Sequence, residues 1–422
     1  MKGDADHRMA AAREWDDLVA RVRAMEGFED FLRPPAAQRL VSAAGNGVIA
    51  VVNVAERRCD ALLVTSAGVR PCPLPGLTRA DSIRELEVYL TSLQRLDRAI
   101  QTSVDARGLA QAQPSHANAA AAYRAGLDLT DAERDVDSVL TTLHAWLWDA
   151  VAEPVLRTAR IDELPPTEAN WPRLWWCPTG PLTLMPLHAA GYHHEPTRSV
   201  MDLCVSSYTP TVQALSYARN SRPADALTSH DTMLVRAPGM DGPSASSSQD
   251  DLVSSRIGGE ERTIVSGDRA TRAVVLQELQ RHRVVHFDCH GEQNLDNPSG
   301  GGLVLADGRL TIGEIAAHSF SGEFAGLAAC KTAVGGLELL DEAISLTAAL
   351  HYTGYRHVVG SLWSIRDDVA KRGFSRLYEL MFDDGLFHSQ RCPVAVHTVV
   401  RELRQAFEDS PRLWAPLIHV GP

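Results

Sequence analysis

The 422-residue chain is 45% hydrophobic and carries a formal net charge of −12. That apolar share suffices for a sizeable core, and a pI near 5.7 without a basic tract excludes wholesale disorder and counterion-displacing attachment to nucleic acid. No run nears the roughly 18–20 apolar residues that span a bilayer, and the acidic N-terminus lacks the apolar centre of a secretory signal. The expectation is a soluble, cytoplasmic protein with neither nucleic-acid nor membrane partners.

The first 43 residues read as helix, with Met9, Trp15, Leu18, Val19 and Val22 spaced for one face. GVIAVVNV (47–54) and CDALLVT (59–65) read as strands on either side of the charged turn AERR. A long helix starts near Asp81 and carries Ile83, Leu86, Leu90, Leu93 and Ile100 as a packing stripe. The small, polar, alanine-rich residues 107–130 read as a linker or mobile segment. From Asp131 the series Val136, Val139, Leu140, Leu143, Leu147 and Val151 predicts an amphipathic helix ending at Pro154.

Beyond it, short apolar runs alternate with helix-length patterns. The runs are RLWWCP (173–178), VMDLCVSSY (200–208), TMLVRA (232–237), RVVHFDC (283–289), EFAGLAAC (323–330) and RHVVGSLW (356–363). Helical patterns fall near 211–220, 270–281, 340–352, 366–382 and 393–408. Such alternation predicts an α/β layer fold with a largely parallel central sheet flanked by helices. The chain therefore divides into an N-terminal α+β extension with linker, 1–130, and an α/β domain, 131–422. PGMDGPSASSSQDD (238–251) reads as a polar loop, flexible or cleavable.

The stretch VVHFDCHGEQ (284–293) packs two histidines and a cysteine behind a β-branched run. On a strand, Cys289 points away from the face shared by 286, 288 and 290, and four steps of roughly 3.3 Å part His286 from His290. The two cannot share one metal ion, so no metal or other cofactor is expected, and His286 and Cys289 are assigned to the core. A second buried-looking run, EFAGLAACKTA, ends in Ala329-Cys330. Sites in open α/β sheets form outside the carboxyl ends of strands. A thiol there, with an imidazole to take its proton and backbone N–H groups to hold an oxyanion, suits nucleophilic attack on a carbonyl. Lys331 can lower the thiol pKa. The glycine run PSGGGLVLADGR lacks the order of a nucleotide phosphate loop, and neither G-x-S-x-G nor H-E-x-x-H occurs.

An apolar strand ending in His-Gly, a spacer, and a second ending in Ala-Cys resembles the caspase-like (clan CD) cysteine peptidases. WWCPTGPLTLMPLHAAG (175–191), SSYTPTVQAL (206–215), VVHFDCHG (284–291), LAACKTAVG (327–335), DEAISLTAALHYTGYRHVVGSLWSIRDDVA (341–370) and WAPLIHVG (414–421) resemble the CHAT domain, often found beside tetratricopeptide repeats. The resemblance implies His290 as general base, Cys330 as nucleophile, and an oxyanion hole from the N–H groups of Gly291 and Cys330. It implies a cysteine endopeptidase acting on a protein substrate, held latent until a partner or sensor signals, a tetratricopeptide-repeat partner among them. Asp288 is a candidate for selecting a basic residue before the cut, or a structural carboxylate; Ser361 and Trp363 are candidates for a substrate groove. Asp341 and Glu342 match the family's acidic pair and are assigned to helix capping. The Q-A-C-[RQG]-G caspase signature is absent. Two rival readings are a catalytically inactive caspase-like scaffold recruiting protein partners and a redox-sensing thiol protein.

Overall fold

The alternating apolar runs and amphipathic segments form an α/β structure in this computed structural model, which describes residues 14–25, 37–165, 171–220, 227, 231–238, 262–292, 297–328, 345–383 and 386–422. Its strands are β1 (Val48–Asn53), β2 (Asp60–Thr65), β3 (Gly68–Pro73), β4 (Arg173–Pro178), β5 (Val205–Tyr208), β6 (Thr232–Arg236), β7 (Thr263–Ser266) and β8 (Val284–Asp288). There follow β9 (Gly291–Glu292), β10 (Gly302–Leu305), β11 (Gly308–Thr311), β12 (Phe324–Leu327), β13 (His357–Ser361), β14 (Phe382–Asp383), β15 (Leu386–Phe387) and β16 (Leu417–Val420). Eleven form one sheet, in the order β3-β2-β1-β4-β5-β16-β13-β12-β8-β6-β7.

The sheet consists of two parallel blocks running in opposite directions. β1, β4, β5 and β16 are mutually parallel, as are β13, β12, β8, β6 and β7. They meet at the antiparallel pair β16–β13, where Val358 faces Val420 and Ser361 faces Leu417. β2 and β3 add an antiparallel ribbon at the β1 edge. The expected largely parallel sheet is therefore present, with one reversal inside it.

Side-chain alternation divides the core into two layers. Leu174 and Trp176 of β4 join the large core, whereas Trp175 and Cys177 face a smaller cluster with Ile49, Val64 and Leu215. Both faces of this strand are buried, which explains why its sequence is an unbroken apolar run.

The N-terminal residues belong to the same sheet as the rest, since β1 pairs with β4 over Val48↔Leu174 to Val52↔Pro178. Helix α1 covers residues 14–23 and α2 covers Ala37–Ser42. Two long helices follow, α3 (Arg79–Ala112) and α4 (His116–Leu147), packed as a hairpin. The expected linker over 107–130 is thus helical except at 113–115. Alanine is the strongest helix former, and the only local stop signal is Pro114, with Ser115 capping α4 by accepting from the Asn118 N–H at 3.1 Å. Thr78 caps α3 in the same way from Asp81. VMDLCVSSY also splits, into a short helix Val200–Leu203 and β5.

The glycine run 299–308 serves a β-hairpin. A Cβ on Gly302 would stand 2.0 Å from the Leu310 carbonyl oxygen, and Gly308 turns at φ +122°, a conformation that glycine adopts without penalty. Among the described residues no helix is long and apolar enough to cross a membrane.

Candidate functional site

Strands β8 and β12 lie side by side and parallel, with Phe287 opposite Leu327. The ladder persists one step further, where the Ala328 N–H donates to the Phe287 carbonyl at 3.0 Å. His290 and Cys330 each follow by three sequence positions the residues of that pair. Cys330, Lys331, Asp341, Glu342 and the polar loop 238–251 lie outside the described residues.

His290 leaves β8 after a fully buried run, and its side chain is exposed. Among the described residues no hydrogen bond holds its imidazole. Its backbone is fixed, because the Val304 N–H donates to the His290 carbonyl at 2.8 Å. That bond makes His290–Val304 a hydrogen-bonded pair of the β9–β10 ladder, in which Gly291 faces Leu303. Residues of such a ladder alternate in orientation, so the Gly291 N–H is turned away from β10.

The other polar residues of the stretch are structural. His286 is buried, with Nδ1 2.8 Å from the Tyr378 hydroxyl and its ring edge-on to Phe374 at 5.1 Å. Burial pushes its pKa down to about 4, leaving it neutral near pH 7. Gly326, paired with His286 in register, makes this possible: a Cβ there would stand 2.8 Å from the Tyr378 hydroxyl and 3.2 Å from His286 Nδ1. Cys289 is buried, and burial raises its thiol pKa far above the ordinary value.

Asp288 ends β8 beside Arg236 of β6, and its carboxylate accepts from Arg236 Nε at 3.3 Å. Both side chains are nearly buried, so the pair ties the ends of the two strands together. Ser361, the last residue of β13, is 2% exposed and Trp363 is 1% exposed. The Trp363 indole donates to the Arg412 carbonyl at 2.9 Å and packs edge-on against Tyr89 of α3. Burial puts both side chains inside the fold. The sequence pattern reveals neither commitment, because the partners of Trp363 are 49 positions and more away; nor does it reveal the Arg236–Asp288 pair.

An eleven-stranded, mostly parallel sheet with helices on its faces, and a His-Gly turn where one central strand ends, is the caspase-like α/β architecture. Two structures of the Saccharomyces cerevisiae separase–securin complex share it. One aligns with a TM-score of 0.58 at 11% identity over 91% of this chain and 31% of the other. The second aligns with a TM-score of 0.56 at 12% identity over 91% and 30%. The chain thus spans about a third of those separase chains. A complex of the pro- and mature domains of Porphyromonas gingivalis RgpB aligns with a TM-score of 0.46 at 10% identity, over 64% of this chain and 69% of that one. The CHAT domain model matches residues 141–422, and the chain belongs to that family. No curated protein matches the sequence.

Proposed function

We propose that this chain is a cysteine endopeptidase that cleaves a protein substrate with Cys330 as nucleophile and His290 as general base. The observation that carries the reading is the register of β8 and β12: two adjacent parallel strands, in step at Phe287 and Leu327, lead after equal chain lengths to an imidazole and a thiol. Exposure of His290 and the outward turn of the Gly291 N–H support it.

In this mechanism the Cys330 thiol gives its proton to His290, and the thiolate adds to the scissile carbonyl carbon. The N–H groups of Gly291 and Cys330 hold the oxyanion. Collapse breaks the C–N bond, and the leaving amine takes the proton from His290. Water, deprotonated by His290, then attacks the thioester, releases the acid and restores the thiol. None of these steps needs a metal or organic cofactor. The carboxylate of Asp288, already paired with Arg236, acts in this reading by holding the end of β8 beneath His290. Activity stays latent until a partner protein engages the chain.

The test is cleavage of a diverse peptide library by the wild type, Cys330→Ala and His290→Ala, with products read by mass spectrometry, beside labelling by a peptidyl electrophile. Expected are cuts lost in both variants and covalent label on Cys330 that His290→Ala suppresses. Cuts persisting in Cys330→Ala overturn the site. Absence of both cleavage and Cys330 labelling leaves two readings, a latent enzyme awaiting its activator and a non-catalytic scaffold. Label on Cys330 that ignores His290 favours a redox thiol.

A further inference from the structure

The loop Gly45-Asn46-Gly47 before β1 carries no side chain at two places where one would collide. Gly45 has φ +54°, and a Cβ there would stand 2.6 Å from Arg219 Nη1; a Cβ on Gly47 would stand 2.4 Å from the Trp175 ring. The two glycines therefore admit an arginine pair that stacks on one indole. The guanidinium carbons of Arg173 and Arg219 lie 4.7 and 4.3 Å from the centroid of Trp175. Trp175 is itself fixed by donating Nε1–H to the Gly421 carbonyl at 2.8 Å.

These arginines, with Asn46, Arg356 and Gln390, border an open pocket of about 350 Å³, and Pro393 in the first turn of the helix Cys392–Ala406 closes one side. Among the described residues no aspartate or glutamate side chain lines it. Elsewhere in the protein arginines meet carboxylates, as in Arg376–Glu402, Arg404–Asp202 and Arg412–Asp137. Arg173 and Arg219 have no carboxylate partner among the described residues; Arg173 donates to the Ser207 hydroxyl at 2.9 Å. Burial and the neighbouring Arg219 charge push the Arg173 pKa down to about 10, and burial with the Arg356 charge lowers that of Arg219. Like charges thus converge, partly buried, on a chain whose net charge is −12. Guanidinium forks match phosphate oxygens, and the amino end of a 15-residue helix favours negative charge.

We propose that this pocket binds a multiply charged phosphate-class oxyanion, with Arg173 and Arg219 as its principal ligands and Trp175 as the plate that orients them. The pocket borders the opening residue of β13, at the opposite end of that strand from the edge where β8 and β12 finish. It is therefore separate from the proposed dyad, and its occupancy does not depend on peptidase activity.

The experiment is isothermal titration of the full chain with inorganic pyrophosphate, beside Arg219→Gln, Arg219→Lys, Arg173→Gln and the surface control Arg372→Gln. Unfolding temperatures without ligand identify any variant that fails to fold. Half-buried Arg219 stacks on Trp175 and has no ion pair among the described residues, so Arg219→Gln keeps the test sharp if Arg173→Gln unfolds. Expected is saturable one-site binding that weakens at least tenfold in Arg219→Gln, less in Arg219→Lys, and is unchanged in Arg372→Gln. Absence of saturable binding at millimolar pyrophosphate overturns the proposal. So does equal weakening in Arg219→Gln and Arg372→Gln, the mark of diffuse attraction.

Discussion

Acid should unfold this protein well before its carboxylates titrate, and the reason is a set of histidines buried as neutral rings. Burial depresses the pKa of His188, His286 and His351 to about 4 and that of His397 to about 3. All four are nearly or fully inaccessible to water. A base whose folded pKa lies below its unfolded value contributes full stability above the unfolded value near 6.5, and loses it as pH falls from there toward 4. At pH 5.5 an ordinary histidine is about nine-tenths protonated in the unfolded chain and hardly at all in the fold, a loss of about 1.4 kcal/mol per residue. The four together lose about 5–6 kcal/mol by pH 5.5, comparable with the roughly 5–15 kcal/mol of a whole domain. His144, His357 and His419, buried with strongly lowered pKa values, act in the same direction. Urea denaturation at pH 7.5, 6.5, 6.0 and 5.5 measures the effect, and its slope near pH 6 should correspond to about three or more protons taken up on unfolding. A midpoint constant down to pH 5.5, or a slope below about one proton, refutes the reasoning.

Gly326→Ala should overpack the His286–Tyr378 contact and destabilise by about 1–3 kcal/mol, read as a lower urea midpoint with an unchanged m-value. Tyr378→Phe should cost about 1–3 kcal/mol by leaving His286 Nδ1 without its partner, and the two losses should fall short of additive in the double variant because they act on one contact. Arg236→Ala should strand the nearly buried Asp288 carboxylate at a cost of about 3–5 kcal/mol, and adding Asp288→Asn should recover part of it in thermal unfolding. Trp363→Ala should cost about 3–5 kcal/mol and raise hydrogen exchange in α3, where Tyr89 packs on the indole, before it raises exchange in β6–β8.

How much of this was legible in the sequence follows from the range of each interaction. Period-two and unbroken apolar runs depend on a residue's own burial, so β1, β2, β4, β6, β8 and β13 were readable within a residue or two, and the start of β12 within one. Amphipathic stripes gave the helices Asp367–Met381 and Cys392–Ala406 in the same way. The dyad candidates were readable because each follows a strand in a recognisable pattern, His290-Gly291 and Ala329-Cys330. Alanine-rich 107–130 misled because composition was read as mobility where helix propensity governed.

The sequence by itself determined the alternation of strand and helix, the acidic net charge, and the motifs that mark the CHAT family. Only the tertiary structure decided the reversal at β16–β13, the extension of one sheet by β1–β3, and the burial of Ser361 and Trp363. It alone joined Asp288 to Arg236, His286 to Tyr378, and Arg173 to Arg219 across Trp175. Each of these depends on partners tens to hundreds of positions apart. A local pattern records how a residue meets water and its own helix or strand, whereas the choice of a distant partner is made by how whole layers pack.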